Sequence, residues 1–165
     1  MKITVLGCGG SGGVPLIGND WGLCNPANPK NRRLRASILV EEGGDSLLID
    51  AGPDLRQQLL NENVQKLSAV LFTHAHGDHT HGIDDLRSVN WLMKTPVNIY
   101  GDTNTMQELI HRFEYIFKAT PEARKYYKPS LIPHEITGPL TFGGMKVTSF
   151  EQEHAGGTTD RKSVV

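Results

Sequence analysis

One nine-residue stretch, residues 73–81, reads THAHGDHTH and gathers four histidines and one aspartate. An apolar run, Ala69-Val70-Leu71-Phe72, leads directly into it. Imidazole nitrogens and carboxylate oxygens are donors that zinc and other transition metals take from proteins. A histidine-rich segment that directly follows a buried strand therefore predicts a metal site at the C-terminal end of that strand.

The spacing inside this stretch indicates two ions. His74 and His76 are two residues apart, and on an extended segment their side chains point the same way, so they can bind one ion. Gly77 permits a sharp turn, after which the neighbours Asp78 and His79 diverge towards a second ion. Two ions about 3.5–4 Å apart can hold a bridging hydroxide and promote displacement at phosphorus or attack on a carbonyl. We expect zinc, with manganese or iron as alternatives, and we assign Asp78 a catalytic role in orienting the nucleophile.

A cluster of cations and the last histidine of the stretch are candidates for contact with a substrate. Lys30, Arg32, Arg33 and Arg35 place four cations within six residues. The cluster is either a solvated edge or a phosphate site, for which guanidinium groups are well suited. His81 lies beyond the ligand run and supports the ligands, faces the substrate or is merely exposed. The substrate-binding candidates are Arg32, Arg33, Arg35 and His81.

The early glycine-rich segment, residues 7–13, formally contains the spacing G-x-G-x-x-G after a predicted strand. A dinucleotide site would need a helix to begin there and an acidic residue about 20 positions later. Residues 14–22 have no helical period, and the later region reads Pro29-Lys30-Asn31. We therefore reject a dinucleotide site and expect either a loop that allows close backbone approach or a tight turn.

Alternating strands and helices must position these groups. Strands are predicted near residues 3–6, 36–40, 46–50, 69–72, 97–100, 131–132, 140–142 and 145–150, and helices near 54–60, 83–93 and 102–117. We expect Leu60, Leu92 and Ile110 on the apolar helix faces and Asp102 as a helix cap. Asp50 ends a buried strand, so its carboxylate needs a partner, and support of a metal ligand is one candidate role. The pattern predicts layered α/β architecture with mixed sheets.

The overall composition limits the function classes. The 165 residues suffice for one domain, and the net charge of −1 argues against a general polyanion binder. Two cysteines argue against a disulfide framework. No apolar run approaches the roughly 18 residues of a membrane helix, and the N-terminus does not resemble a signal peptide. We expect a cytoplasmic protein that does not bind membranes.

The stretch His74-Ala75-His76-Gly77-Asp78-His79 resembles the H-x-H-x-D-H motif of the metallo-β-lactamase superfamily. Residues 48–52 and 70–73 are similar to its flanking segments, and residues 6–15, 21–24 and 31–33 resemble the branch of the PhnP-type phosphoribosyl cyclic phosphodiesterases. The resemblance implies an αββα sandwich with a dinuclear hydrolytic site. It assigns His74, His76 and His154 to the first metal, and Asp78 and His79 to the second.

The sequence departs from the family pattern in three ways. Only Cys24 stands where some members hold a structural zinc with several cysteines, so we do not predict that zinc. No histidine follows His154, and Asp160 comes too soon after it to be the bridging aspartate. We therefore expect the N-terminal portion of the sandwich, with residues 1–159 as an incomplete domain. Residues 160–165 can be back-translated as gatcggaagagcgtcgtg, which resembles sequencing-adapter read-through, so we interpret them as a non-native tail.

The resemblance favours a phosphodiesterase that opens a small phosphodiester, with cyclic diesters included, through a metal-bridging hydroxide. Two alternatives remain: a transfer-RNA 3′-processing nuclease, and a metal-binding but inactive fragment. The nuclease would need an extended basic surface or an RNA-binding arm, which the sequence does not show outside residues 30–35. A lactam or thioester hydrolase fits the arginine cluster less well. We expect a small phosphodiester as partner, nucleic acid as a less favoured one, and a homodimer as one option for assembly.

Overall fold

In the computed structural model, the described residues are 1–119, 128–154 and 158–164, with side chains for all of these except Glu153, His154 and residues 158–164. Six strands form one large sheet in the order of the sequence. They are β1 (Lys2–Gly7), β2 (Ser37–Glu42), β3 (Asp45–Ile49), β4 (Ala69–Leu71), β5 (Val97–Gly101) and β6 (Leu131–Glu135).

The direction of these strands brings the sequence motifs to one edge of the sheet. Strands β1, β2 and β3 pair antiparallel, whereas β3, β4, β5 and β6 pair parallel. The carboxyl ends of the four parallel strands therefore share an edge with the end of β1 and the start of β2. The histidine-rich segment after β4, the glycine-rich loop after β1 and the arginines before β2 all lie along this edge.

Helices cover one face of the large sheet. They are α1 (Leu55–Asn61), α2 (Gly77–Thr80), α3 (Leu86–Met93), α4 (Thr103–Arg112) and α5 (Glu114–Phe117), with 3-10 turns at Pro29–Asn31 and Ile83–Asp85. The predicted cap is confirmed, because Asp102 Oδ1 accepts a hydrogen bond from the backbone N–H of Thr105 at 2.6 Å. Leu48, Val70 and Ile99 of the sheet pack in one buried cluster with apolar residues of these helices.

Three predicted core positions are wrong, and one of them is Ile110 on α4, which is 38% exposed. Leu60 and Leu92 are 58% and 61% exposed. Gln58 is buried on α1 instead, where its side-chain amide donates to the backbone carbonyl of Arg35 at 2.8 Å. Helical spacing alone placed both leucines on the apolar faces, but each helix turns a narrower stripe towards the sheet, so the outer leucine of each face remains at the surface.

A smaller sheet packs on the opposite face. It consists of β7 (Leu140–Phe142), β8 (Met145–His154) and β9 (Thr158–Val164), all antiparallel. Gly143, which has a φ of +54°, lies in the turn between β7 and β8. Met145 and Val147 bury their side chains in a second cluster with Val40, Leu47 and other residues of the large sheet. The layers run helix, sheet, sheet, which confirms the predicted layered α/β class.

The C-terminal residues pair with the rest of the small sheet. Strand β9 covers most of the predicted tail, and Asp160 lies opposite Gln152 of β8. The interpretation of residues 160–165 as a non-native tail stays a prediction, and Val165 lies outside the described residues.

Among the helices of the described ranges, none has the length and apolar character needed to cross a bilayer. Both cysteines are free.

Candidate metal centre

A buried carboxylate, that of Asp50, lies at the base of the candidate site. Asp50 follows β3 with a φ of +63° and is only 4% exposed. Its Oδ1 accepts the backbone N–H of Thr73 at 2.8 Å, and its Oδ2 accepts the Thr73 hydroxyl at 2.8 Å. The same Oδ2 lies 2.7 Å from Nδ1 of His79. The predicted need for partners at Asp50 is thus met by the residue before the histidine motif and by a histidine within it.

His74 and His76 face each other at the start of the motif. Nε2 of His74 and Nδ1 of His76 are 3.0 Å apart, and the two rings meet edge to face with centroids 4.5 Å apart. Zinc–nitrogen bonds of about 2.0–2.1 Å in tetrahedral geometry keep two ligand nitrogens about 3.3 Å apart. The two nitrogens are therefore close to the separation that one shared ion requires. The Thr73 hydroxyl lies 3.0 Å from Nδ1 of His74 and so orients that ring.

Asp78 and His79 form a second pair beside the first. Both lie on the short helix α2, and Nε2 of His79 is 3.4 Å from Oδ2 of Asp78. The ring of His79 has its centroid 4.2 Å from that of His74. Because Asp50 holds Nδ1 of His79, the opposite nitrogen faces the carboxylate of Asp78. A carboxylate behind a histidine in this way fixes the ring and its tautomer for metal binding.

Two glycines allow the motif to pack tightly on the loop after β3. The backbone N–H of Ala51 donates to the carbonyl of His79, and that of Gly82 donates to the carbonyl of Ala51, both at 2.8 Å. A Cβ on Gly52 would lie 2.1 Å from the carbonyl oxygen of Asp78, and a Cβ on Gly82 would lie 2.0 Å from that of Gly52. Sequence reasoning missed this role of Gly82, which the spacing of a single sequence does not reveal.

The donor set fits a divalent ion in part. Among the side chains that the structure describes, no group of three or more histidine, cysteine, aspartate or glutamate residues is arranged to hold a metal ion. The structure instead shows two adjacent pairs, His74 with His76 and Asp78 with His79. His154 ends β8, and its side chain lies outside the described set, so its role as the third ligand of the first metal stays a prediction. The facing imidazole nitrogens suit zinc.

Arg35 makes structural contacts at the edge of the site. Its Nη1 lies 2.9 Å from Oδ1 of Asp54, and its backbone N–H donates to Oδ2 of the same carboxylate at 2.8 Å. Its Nε donates to the carbonyl of Ser11 at 2.9 Å. Arg35 therefore ties the glycine-rich loop to the start of α1, and these bonds occupy two of the three guanidinium nitrogens.

Arg32 and Arg33 are more exposed than Arg35. The guanidinium carbon of Arg32 lies 5.2 Å from the ring centroid of Trp21, which is within cation–π range. Nη1 of Arg33 lies 2.8 Å from Sγ of Cys8. Arg32 and Arg33 lie at the same edge of the sheet as the histidine-rich segment. Because they are exposed, they are more accessible than Arg35 to an anionic group in solvent.

The glycine-rich loop approaches its own chain closely. The backbone N–H of Gly9 donates to the carbonyl of Leu34 at 2.8 Å, and that of Val14 donates to the carbonyl of Arg33 at 3.0 Å. A Cβ on Gly7 would lie 2.1 Å from the carbonyl oxygen of Arg35. No helix follows within described residues 8–28. The segment thus serves close packing of backbone on backbone.

His81, the fourth histidine of the motif, lies apart from the two ligand pairs. It follows α2 and is exposed, and its ring covers Gly77, where a Cβ would lie 2.9 Å from the imidazole. On its other side the ring meets Phe113 edge to face, with centroids 5.8 Å apart. Its assignment to substrate binding stays a prediction.

Comparison with known proteins points to one family. A sequence model described as "Beta-lactamase superfamily domain" matches residues 46–165. A solved structure of a diphosphatase from the PhnP family superposes with a TM-score of 0.83 at 32% identity, over 98% of this chain and 61% of that one.

Two curated relatives are much longer than the region that this chain matches. An octanoyltransferase from Porphyromonas gingivalis is 38% identical over 73% of this chain and 24% of that protein. A ribonuclease Z from Methanococcus maripaludis is 31% identical over 67% of this chain and 32% of that protein. The chain therefore spans about a quarter to a third of the length of these two relatives.

Proposed function

Because the chain belongs to the beta-lactamase superfamily, we propose that it is a metal-dependent hydrolase acting on a small phosphodiester, cyclic diesters included. The observation that carries the proposal is the pair of imidazole nitrogens of His74 and His76, which face each other 3.0 Å apart beside Asp78 and His79. Similarity to a PhnP-family diphosphatase supports phosphorus as the reacting centre.

We assign each residue of the site a role in this proposal. His74 and His76 would bind one ion through Nε2 and Nδ1, with His154 as the proposed third ligand. Asp78 and His79 would bind the second ion. Bound divalent ions supply an activated water at neutral pH and neutralise charge on phosphoryl oxygens.

The surrounding residues hold this arrangement and receive the substrate. With the Nδ1 proton of His79 donated to Asp50, the lone pair of the ring lies on Nε2, the nitrogen that would bind a metal. Asp78, which lies in the first turn of α2, would orient the attacking water. Arg32 and Arg33 bind a non-bridging phosphate oxygen, since a guanidinium group donates two parallel hydrogen bonds to such anions. His81 contacts the substrate from the far end of the motif.

The experiment is hydrolysis of bis-p-nitrophenyl phosphate by the purified chain with zinc or manganese added, together with measurement of the bound metal. His76→Ala should reduce kcat/KM by about 100-fold or more, because it removes one of the two facing nitrogens. His111→Ala is the matched control, since His111 is an exposed histidine on α4, and it should leave the rate unchanged. Equal rates for wild type and His76→Ala would contradict the proposal.

A transfer-RNA nuclease is the second candidate, because the ribonuclease Z of Methanococcus maripaludis is 31% identical over the matched region. Cleavage of a precursor transfer RNA, measured beside the small diester, separates the two. The net charge of −1 favours the small substrate, since RNA binding relies on an extended cationic surface. Bound metal without turnover of either substrate would favour the inactive-fragment alternative.

A further inference from the structure

We propose that Arg112 is a positioning residue for the metal-binding histidines, and that Phe113 and Tyr115 assist it. These three residues lie at the junction of α4 and α5, and we call them the junction clamp. The inference rests on the metal centre of the proposed function. It assigns the clamp the role of holding residues 75–84 in the conformation that binds the ion.

Arg112 contacts the backbone between the first two ligands. Its Nη1 donates a hydrogen bond to the carbonyl of Ala75, the residue that separates His74 from His76. Its Nη2 lies 2.8 Å from Oε2 of Glu108, one helical turn earlier, and this ion pair restricts the guanidinium plane. The orientation of the Ala75 peptide influences the relative directions of the two histidine side chains. A charged donor on this carbonyl therefore helps set the geometry of the first ligand pair.

Phe113 and Tyr115 contact residues that follow α2. The ring of Phe113 meets that of His81 edge to face at 5.8 Å, and the hydroxyl of Tyr115 donates to Oδ2 of Asp84. Three residues within a span of four thus contact Ala75, His81 and Asp84. These contacts lie on both sides of α2, which is only four residues long.

The helix that carries Arg112, α4, is packed against the large sheet. Helix α4 buries Met106 and Leu109, which are 2% and 0% exposed, against the sheet, and Asp102 caps its first turn. The ligand segment after β4 contains little regular structure of its own, so its conformation depends on contacts with neighbouring elements. Asp50 contacts this segment at Thr73 and His79, and the junction clamp contacts it at Ala75, His81 and Asp84. This arrangement corresponds to the general rule that residues behind metal ligands tune metal affinity.

The test is zinc affinity, measured by competition with a chromophoric chelator, together with urea unfolding of the metal-free protein. Arg112→Ala should weaken zinc binding by about 10-fold, within the range seen when residues that support metal ligands are removed. Arg112→Lys should recover most of the affinity, because an ammonium group can donate to the same carbonyl. Glu108→Gln should retain affinity within about twofold of wild type, because the amide oxygen of glutamine can still accept a hydrogen bond from Nη2 of Arg112.

The matched control is Arg56→Ala, an exposed arginine that lies on α1 and outside the junction of α4 and α5. It should not change zinc affinity. Tyr115→Phe removes one hydroxyl with minimal effect on folding and should weaken zinc binding by about two- to threefold, so it tests the clamp even where Arg112→Ala does not fold. Wild-type affinity in both Arg112→Ala and Tyr115→Phe would overturn the proposal, as would a loss in Arg112→Ala that Arg112→Lys does not recover.

The readout also separates this inference from the proposed function. A wild-type chain that binds zinc but hydrolyses no phosphodiester would overturn the proposed function, whereas the predicted order of affinities among the variants would still support the clamp. Hydrolysis with unchanged affinity in the clamp variants would overturn the clamp alone. A wild-type chain that binds no zinc would overturn both.

Discussion

The two faces of the six-stranded sheet are covered to different extents. On the helix-covered face, Leu48, Val70 and Ile99 are all 0% exposed. On the face that meets the small sheet, Ile3 and Val5 of β1 are 55% and 61% exposed. The register explains this, since Ile3 and Val5 pair with Val40 and Ile38 and therefore point to the same side as the small sheet.

The difference shows how far each covering layer reaches. The small sheet buries Val40, Leu47 and Leu71 in the middle of the large sheet. Towards the edges, Ile38 and Ile132 on the same face are 37% and 43% exposed. The consecutive apolar residues of the strands are typical of a sheet that is buried on both faces. The helix layer matches this pattern from β2 to β5, whereas the small sheet matches it only in the centre.

The largest expected effect separates the two faces directly. Ile99→Ala removes a fully buried side chain from the helix-covered face and should lower the free energy of unfolding by about 2–5 kcal/mol, because it deletes apolar contacts and leaves a cavity. Ile38→Ala makes the same chemical change on the other face and should cost about 1 kcal/mol, since part of that side chain already contacts water. Urea unfolding of both variants measures the difference.

An equal loss in the two isoleucine variants would contradict the comparison. It would mean that the face with the small sheet is covered as fully as the helix face under the conditions of the measurement. Guanidinium unfolding at two protein concentrations provides the control, because burial of Ile38 by self-association would make its effect concentration-dependent.

A smaller effect tests how the helix layer is held in place. Asp102→Ala deletes the side-chain cap of α4 and should lower the free energy of unfolding by about 1 kcal/mol, since the N–H of Thr105 loses its acceptor. Asp102→Asn is the matched control, because an amide oxygen can still accept that bond, and it should lose less than half as much. Thermal unfolding by circular dichroism measures both. If Asp102→Ala were as stable as wild type, the cap would not stabilise this layer.

The smallest effect is expected on β1. Val5→Thr keeps a β-branched side chain on the strand and should change the free energy of unfolding by no more than about 0.5 kcal/mol, because Val5 is 61% exposed. Val70→Thr is the matched control on the helix-covered face, where Val70 is fully buried, and it should destabilise the protein clearly because the new hydroxyl is desolvated. Similar losses in the two variants would show that β1 is covered as well as β4.

Several features of the site could be predicted from the sequence. The two-residue spacing of His74 and His76 predicted side chains on the same side, and their nitrogens lie 3.0 Å apart. The position of Asp50 at the end of an apolar strand predicted a buried carboxylate with partners, and the structure provides Thr73 and His79. Both inferences depend only on local periodicity and on the cost of burying a charge.

Other features depended on contacts between distant parts of the chain. Arg32, Arg33 and Arg35 are the same residue type within four positions. Of these three, only Arg35 pairs with the carboxylate of Asp54. Leu60 and Leu92 satisfy helical spacing but remain exposed, because the width of the buried stripe depends on how each helix lies on the sheet. The contact of Arg112 with Ala75 joins residues 37 positions apart and has no local signal.

The sequence by itself determined which donor groups lie at this edge, because donor types and their spacing on a strand end are local properties of the chain. It also determined the alternation of strands and helices that defines the layers. Only the tertiary structure decided which cations remain exposed, which leucines are buried and which helix contacts the ligand segment. Those outcomes depend on how separate elements pack against one another, and packing is decided by shape and burial over the whole domain rather than by neighbours in sequence.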